Sequence, residues 1–479
     1  MNKKPNILFA IADDASHMGA YGHKFVNTPN FDAVAKDGIL FTNAFTTNPK
    51  CAPSRASILA GMHTWQMEEA GNHFGVFPSK FKVFPDLLED NGYHVGYTGK
   101  GWSPGDWEKG GFNRNPAGTE YNNRFLVPPE NTRISDKDYT ENFKDFLSEK
   151  SDDKPFCFWY GGHEPHRKYI PGEGLRAGKK LDDVDVPAYW PDEESVRSDM
   201  LDYASEIDWF DMHLGKMIKI LKETGEFDNT IIVVTSDNGM PFPRVKGQMY
   251  EQDVRLPLAI CWKAMTKSDR VVDDLVSFID FAPTFLEAAG VDIHSQMGGK
   301  SLLNILKADR SGIVDESRDC IYTGRERHDV GREGDTGYPV RCIRTHDYLY
   351  IRNLKPERWP SGNPETGYTD VDSSPTKTSI LNKFEQGDEY YYNLTFAKRP
   401  MEELYQIKND PECMNNLADK DEFQEIKNQL WANLKNKLIQ TKDPRILGGG
   451  DAFEGYEYVG GKRHSWKAYQ EGWFQKQGH

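Results

Sequence analysis

Three groups of residues in the 479-residue sequence have the composition of a reaction centre. The first is "KCAPSRASILAG", Lys50–Gly61, where a cysteine opens a Pro-Ser-Arg turn that leads into a helix-like run. Lys50 and Arg55 surround Cys51 with positive charge, whereas a core cysteine usually has apolar neighbours. The second is Asp13-Asp14 with Asp237-Asn238, three carboxylates and an amide. An all-oxygen set suits a hard divalent cation, calcium above all and magnesium next. Either pair alone also fits acidic residues that end a strand or cap a helix; two such pairs favour a cation. The third is Arg55, Lys100, His163 and Lys246, at or just past apolar runs. Such a set can hold a tetrahedral anion while one member protonates a leaving group. A single lysine or histidine there is ordinarily solvated or structural. "GGHEPH" is less ordinary, since it sets His163 and His166 three apart beside glycines that permit close approach.

Behind these groups stand alternating strand and helix signals. "PNILFAIADD" is a continuous apolar run, as expected of a central parallel strand. "TPNFDAVAKDGILFTNAFT" predicts a helix ending near Gly38 and then a strand. "FPDLLEDNGYHVGYTGK" repeats the scheme, with Gly92 as the stop and a strand reaching Lys100. "KPFCFWYGGHEPH" is a strand opening into a loop, and a long amphipathic helix stopped at Gly225 precedes "TIIVVTSDNG" and then "RLPLAICW". The alternation predicts an α/β fold on a large, mostly parallel sheet flanked by helices. Asp13/Asp14, Lys100, His163 and Asp237/Asn238 would all lie at carboxyl ends of strands, the edge where such sheets bind ligands. Past residue 335 the pattern changes: "YPVRCIRTHDYLYIRNL" reads as antiparallel strands and "EFQEIKNQLWANLKNKLIQT" as a helix. The expected division is a catalytic domain over 1–335 and a smaller α+β domain with an antiparallel sheet over 336–479, its aromatic tail from Leu447 packing on the surface.

Composition narrows the partners. Hydrophobic residues make up 37% and aromatic residues 12%, which is globular. A net charge of −15 argues against nucleic acid, while an anionic substrate needs locally concentrated cations. The cysteines (Cys51, Cys157, Cys261, Cys320, Cys342, Cys413) show no CxxC pair or finger spacing. No segment approaches the ~20 apolar residues of a membrane span. The compartment stays open: a periplasmic, secreted or lysosome-like protein would carry its signal outside this chain, and otherwise it is cytoplasmic.

"CAPSRASILAG" matches C-x-P-S-R-x-x-x-x-x-G and so resembles the sulfatase family of the alkaline phosphatase superfamily. The order of "ADD", "TGK", His-x-Pro-His and "TSDNG" followed by a basic residue is similar too, over roughly residues 5–260. The resemblance implies that Cys51 is oxidised to Cα-formylglycine by a maturation enzyme that reads the motif. The hydrated aldehyde would attack sulfur with one hydroxyl, and the other would expel sulfate by reforming the aldehyde, a step no thiol can perform. It further implies a calcium ion on Asp13, Asp14, Asp237 and Asn238, with residue 51 beside it. Arg55 would orient the diol, Lys100 and Lys246 would hold sulfate, and His163 would protonate the leaving group.

"SDNGMPFPRVK" and "HEPHR" resemble the heparan N-sulfatase type, so a sulfated sugar is the implied substrate. His166, Arg167, Trp102 and Arg325 are candidate sugar contacts, as are Arg344 and Arg352. One departure stands out: where the family reads Gly-Lys-x-His, this chain has "GKGW", Gly99–Trp102. His17, His63, His73 or His166 could stand in for the lost histidine. The competing readings are a carbohydrate O-sulfatase on galactose or N-acetylhexosamine, a phosphonate or phosphodiester hydrolase, and a non-catalytic binder of anionic glycans.

Overall fold

The computed structural model describes residues 3–472. Its main sheet runs, from edge to edge, through Arg270–Val272, Ile39–Phe45, Arg255–Cys261, Thr230–Ser236, Asn6–Ala12, Phe156–Gly161, His94–Gly99 and Thr119–Glu120, with Val276–Ser277 also on Ile39–Phe45. Every pairing is parallel except those of Arg255–Cys261, which runs antiparallel to both neighbours.

The central strand Asn6–Ala12 shows why a wholly apolar run is required. Leu8, Ala10 and Ala12 enter one core while Ile7, Phe9 and Ile11 enter the other. Successive side chains of a strand point to opposite faces, and here both faces are covered. The helix Glu194–Glu223 covers the first face through Met200, Ala204, Ile207, Leu214 and Leu221. It ends before Gly225, whose φ of 72° lets the chain turn back. On the other face lies Cys51–Ala60, a ten-residue helix with every residue buried, closed by Gly61 at φ 63°.

The second sheet is antiparallel, in the order Cys320–Arg325, Val340–Thr345, Tyr348–Asn353, Glu402–Gln406. Its first strand lies upstream of residue 336. One face packs on Phe45, Met249 and Tyr250 of the large unit through Val340, Cys342 and Ile351. The other receives Leu430, Leu434 and Leu438 of the helix Gln424–Gln440. The tail goes deeper than surface packing: Phe453 is buried in that same cluster beside Trp65. All six cysteines are unpaired, and no described helix is long and apolar enough to cross a membrane.

Buried charge pairs brace the smaller unit internally. The guanidinium of Arg341 holds Asp443 at 2.7 Å and Glu326 at 2.7 Å, with all three side chains enclosed. Removing one partner of such a network leaves buried charge uncompensated, so Arg341→Ala should cost about 3–5 kcal/mol. Urea denaturation checks this; an unchanged midpoint would show that the network does not hold the small sheet.

Candidate active site

Four neighbouring strands of the main sheet, Thr230–Ser236, Asn6–Ala12, Phe156–Gly161 and His94–Gly99, end at one place. Asp237-Asn238, Asp13-Asp14 and Lys100 follow three of them directly, and His163 begins two residues beyond the fourth. Asp14 takes a left-handed backbone with φ 72°. This breaks the alternation of the strand, so that Asp13 and Asp14 both face the cluster. Its main-chain N donates to Asp237 Oδ1 at 3.1 Å, locking the two strand ends together.

Cys51 joins them from the first turn of its helix. Its Sγ lies 3.3 Å from Asp13 Oδ1 and 3.8 Å from Asp14 Oδ1. One ligand atom each from Asp13, Asp14, Cys51 and Asp237 fall within 4.8 Å of one another, all buried. Three cations balance the three carboxylates. Lys100 Nζ sits 2.6 Å from Asp13, Lys246 Nζ 2.6 Å from Asp14, and Arg55 Nε 2.8 Å from Asp237. Arg55 also donates through Nη1 to the carbonyl of Lys100 at 2.7 Å.

The electrostatics follow from this crowding. Burial pushes the Cys51 thiol well up, and Asp13 adds to it, so the thiol is no activated nucleophile. Burial also pushes Asp237 up to about 7, against the pull of Arg55. Asp13 goes the other way: Lys100, His166 and Arg55 overcome its burial and hold it well below the usual carboxylate range. For Lys246, Asp14 and Asp372 outweigh burial and keep it charged.

Two buried polar atoms in the cluster have no hydrogen-bond partner: Asn238 Oδ1 and Arg55 Nη2. The Asn238 amide turns Nδ2 toward Asp14 Oδ1 at 2.6 Å. Exchanging its two ends would aim an oxygen at the carboxylates, an arrangement that only a cation among them stabilises. The donor set therefore fits a hard divalent ion, which Asp13, Asp14, Asp237 and Asn238 would hold. Arg55 Nη2 makes only an ion pair, 3.6 Å from Asp13 Oδ1, and its unused hydrogens suit an oxygen on residue 51.

The histidines sort clearly. His166 Nε2 is 3.8 Å from Asp14 Oδ2, and with Asp13 and Cys51 it forms a group within 4.8 Å. Its Nδ1 is fixed by the carbonyl of Arg167 at 2.6 Å. His163, the expected proton donor, keeps an exposed ring that forms no hydrogen bond among the described residues, and its main-chain N donates to Tyr139 Oη. Of the stand-ins for the histidine missing from "GKGW", His63 is buried in a stack 4.3 Å from Trp65, and His17 lies against Tyr203. His73 is bound to Asp329 at 3.0 Å and pushed down to about 4 by burial.

Several expected sugar contacts lie inside the protein. Trp102 is fully buried under the cysteine helix, its Nε1 donating to the carbonyl of Ala52 at 3.0 Å. Arg325 is enclosed too, bound to Asp370 and to the carbonyls of Gly247 and Pro360. Arg344 is spent on Glu251, and Arg352 pairs with Glu402. Arg167 makes a bidentate bond to Asp199 and stacks between Tyr169 and Phe242, so it positions its own carbonyl, and thereby His166. These arginines face carboxylates because a guanidinium inside a protein needs a counter-charge. Asp372 was absent from the sequence candidates, yet it sits 3.3 Å from Lys246 Nζ. Its segment, "GYTDVDSS", carries no motif, so only proximity reveals it.

Comparison with known proteins agrees with this geometry. Residues 5–291 match the family model described as Sulfatase, and 245–359 match the model N-sulphoglucosamine sulphohydrolase, C-terminal. The chain belongs to the sulfatase family. It is 28% identical over 489 residues to the N-sulphoglucosamine sulphohydrolase of Homo sapiens, covering 92% of this chain and 91% of that protein. It is 29% identical over 453 residues to an ulvan-active sulfatase of Formosa agariphila, covering 90% of this chain and 79% of that one. A solved structure described as a complex with its substrate D-glucosamine-2-N,6-O-disulfate shares the fold. Its TM-score is 0.67 at 22% identity, over 92% of this chain and 99% of that one.

The cluster makes a claim about metal that needs no activity assay. Calcium added to metal-free protein should raise Tm, by the equivalent of about 2.7 kcal/mol at a hundredfold excess over Kd. Asp14→Ala should remove the rise. A thermal scan in which calcium leaves the wild-type Tm unmoved would count against the site.

Proposed function

We propose that this sulfatase-family chain releases sulfate from a sulfated carbohydrate of the glycosaminoglycan or mucin type, with N-sulfoglucosamine as the first candidate substrate. The observation that carries the reading is Cys51 in the first turn of a buried helix, facing three carboxylates and three cations. Similarity to the human sulphohydrolase over most of both chains supports the N-sulfo substrate. Similarity to the ulvan-active sulfatase supports a carbohydrate more broadly. Calcium is the proposed cation, because four neutral or anionic oxygens without imidazole or thiolate suit it best.

Once residue 51 is matured and the metal bound, they supply an oxygen nucleophile and a Lewis acid. The chain's own side chains do the rest. Arg55, clamped by Asp237 and the carbonyl of Lys100, presents Nη2 to an oxygen on residue 51. Lys100 and Lys246 now neutralise carboxylates; with those satisfied otherwise, both ammonium groups can bind sulfate oxygens. We assign proton transfer to His166 Nε2, with Nδ1 tethered to Arg167, in place of His163. Every residue of the cysteine helix is buried, so the maturation enzyme must reach Cys51 before the chain folds.

Mass spectrometry of the tryptic peptide carrying residue 51 tests the chemistry: a residue 51 that stays a thiol in active protein would end this reading. His166→Ala should lower kcat about 10²- to 10⁴-fold while His163→Ala lowers it little; the reverse order would restore His163 to the role. Sulfate release from N-, 2-O-, 3-O-, 4-O- and 6-O-sulfated sugars decides the substrate. The N-sulfo assignment fails if N-sulfoglucosamine is inert while an O-sulfated sugar turns over, and parallel aryl sulfates and phosphates report on phosphoryl transfer.

A further inference from the structure

Beside His166 and Asp372 opens a cavity of about 620 Å³, whose far wall includes Val330, Tyr458 and His464. The same three residues border a second cavity of about 890 Å³. The C-terminal segment builds this shared wall. It is held there largely by main-chain groups: the guanidinium of Arg327 donates to the carbonyls of Tyr456 at 2.8 Å and Glu457 at 3.0 Å. Val459 N donates to the Phe74 carbonyl at 2.9 Å, and Trp466 N to Asp335 Oδ1 at 2.7 Å. The Tyr458 ring lies 5.2 Å from Phe74. A Cβ on Gly460 would come within 2.6 Å of the Phe74 ring, so only glycine lets the segment lie this close.

None of that anchoring uses Lys462 or Arg463. Both are exposed, both line the second cavity, and neither makes an ion pair among the described residues. The nearby acids are engaged: Asp335 Oδ1 accepts from Gly331 N and Trp466 N, and Glu471 pairs with Lys467 at 3.7 Å. Lys168, exposed and without an ion pair, lines the first cavity. A chain of net charge −15 thus sets uncommitted cations in both of these neighbouring cavities.

We propose that the second cavity is a subsite for a negatively charged sugar adjoining the one that loses sulfate, its carboxylate or sulfate meeting Lys462 and Arg463. The neighbour is a uronate or a further sulfated hexosamine, and the preferred ligand is an anionic oligosaccharide. The inference rests on the proposed sulfatase reading for the first sugar, but binding at the subsite requires no catalysis.

Calorimetry on the unmatured Cys51 protein separates the two, with three probes: N-sulfoglucosamine, the same sugar linked to a hexuronate, and the same sugar linked to glucose. The uronate disaccharide should bind roughly tenfold more tightly than the glucose one, as two exposed charge contacts allow. The preference should shrink as salt rises and vanish in the Lys462→Ala/Arg463→Ala variant, with monosaccharide affinity unchanged. Equal affinities for the disaccharides in the wild type, a preference that survives in the variant, or equal weakening of all three probes would each overturn the subsite. An intact preference with no sulfate released by matured protein would sink the catalytic reading and leave the subsite standing.

Discussion

Three carboxylates buried within a few ångströms of one another are the constraint around which this molecule is organised. Left unpaired they would repel and resist ionisation, since burial of a bare charge is prohibitive. Each therefore has its own cation, Arg55 for Asp237, Lys100 for Asp13 and Lys246 for Asp14, drawn from three separate segments. That matching dictates where the cysteine helix docks, where the strand His94–Gly99 must end, and how the loop after Asn238 returns. The same cations that compensate the carboxylates are those suited to an anionic substrate. A metal and an anion bound here would exchange one set of ion pairs for another without leaving a charge stranded.

The cysteine helix is held as firmly as the charges it faces. Ser54 Oγ donates to the carbonyl of Asp237 at 2.6 Å, and Arg55 grips Asp237 beside it. Trp102 supports the same turn from behind through the carbonyl of Ala52 and packs on Phe77. This gives the departure from Gly-Lys-x-His a structural meaning. An indole at this position is buried and buttresses the helix. The ring that reaches the carboxylates is His166, whose orientation depends on an arginine locked to Asp199.

The small sheet and the tail are more than an appendage. One face of that sheet continues the core of the large unit, and the other accepts the tail through Phe453. The tail then crosses to Phe74 and completes the rim of the cavity beside His166. Residues more than 280 positions after His166 in the chain thereby border the site it occupies, such as Tyr458. Asp370 and Asp372 lie between these parts. Arg325 and Arg332 fasten Asp370, and Lys246 holds Asp372.

Local pattern was enough for the alternation of strands and helices, the parallel character of the main sheet, the carboxyl-edge location of Asp13, Asp14, Lys100 and Asp237, and the place of Cys51 at a helix start. Apolar runs, glycine stops and a compact motif all act within a few residues of one another, so they are legible without a fold. Which of two histidines three residues apart reaches the cluster was not legible, because both lie in the same short loop and differ only in how it folds. Nor was the burial of Trp102 and Arg325, which depends on partners as remote as Ala52 and Asp370. Asp372 and the tail cations belong to the same class, joined to the site only by tertiary proximity. The sequence by itself determined the chemistry on offer and the edge where it gathers, since these follow from residue type and short-range periodicity. The tertiary structure decided which side chains meet at the carboxylate cluster and which are spent holding the fold, because long-range packing and the pairing of buried charges settle that.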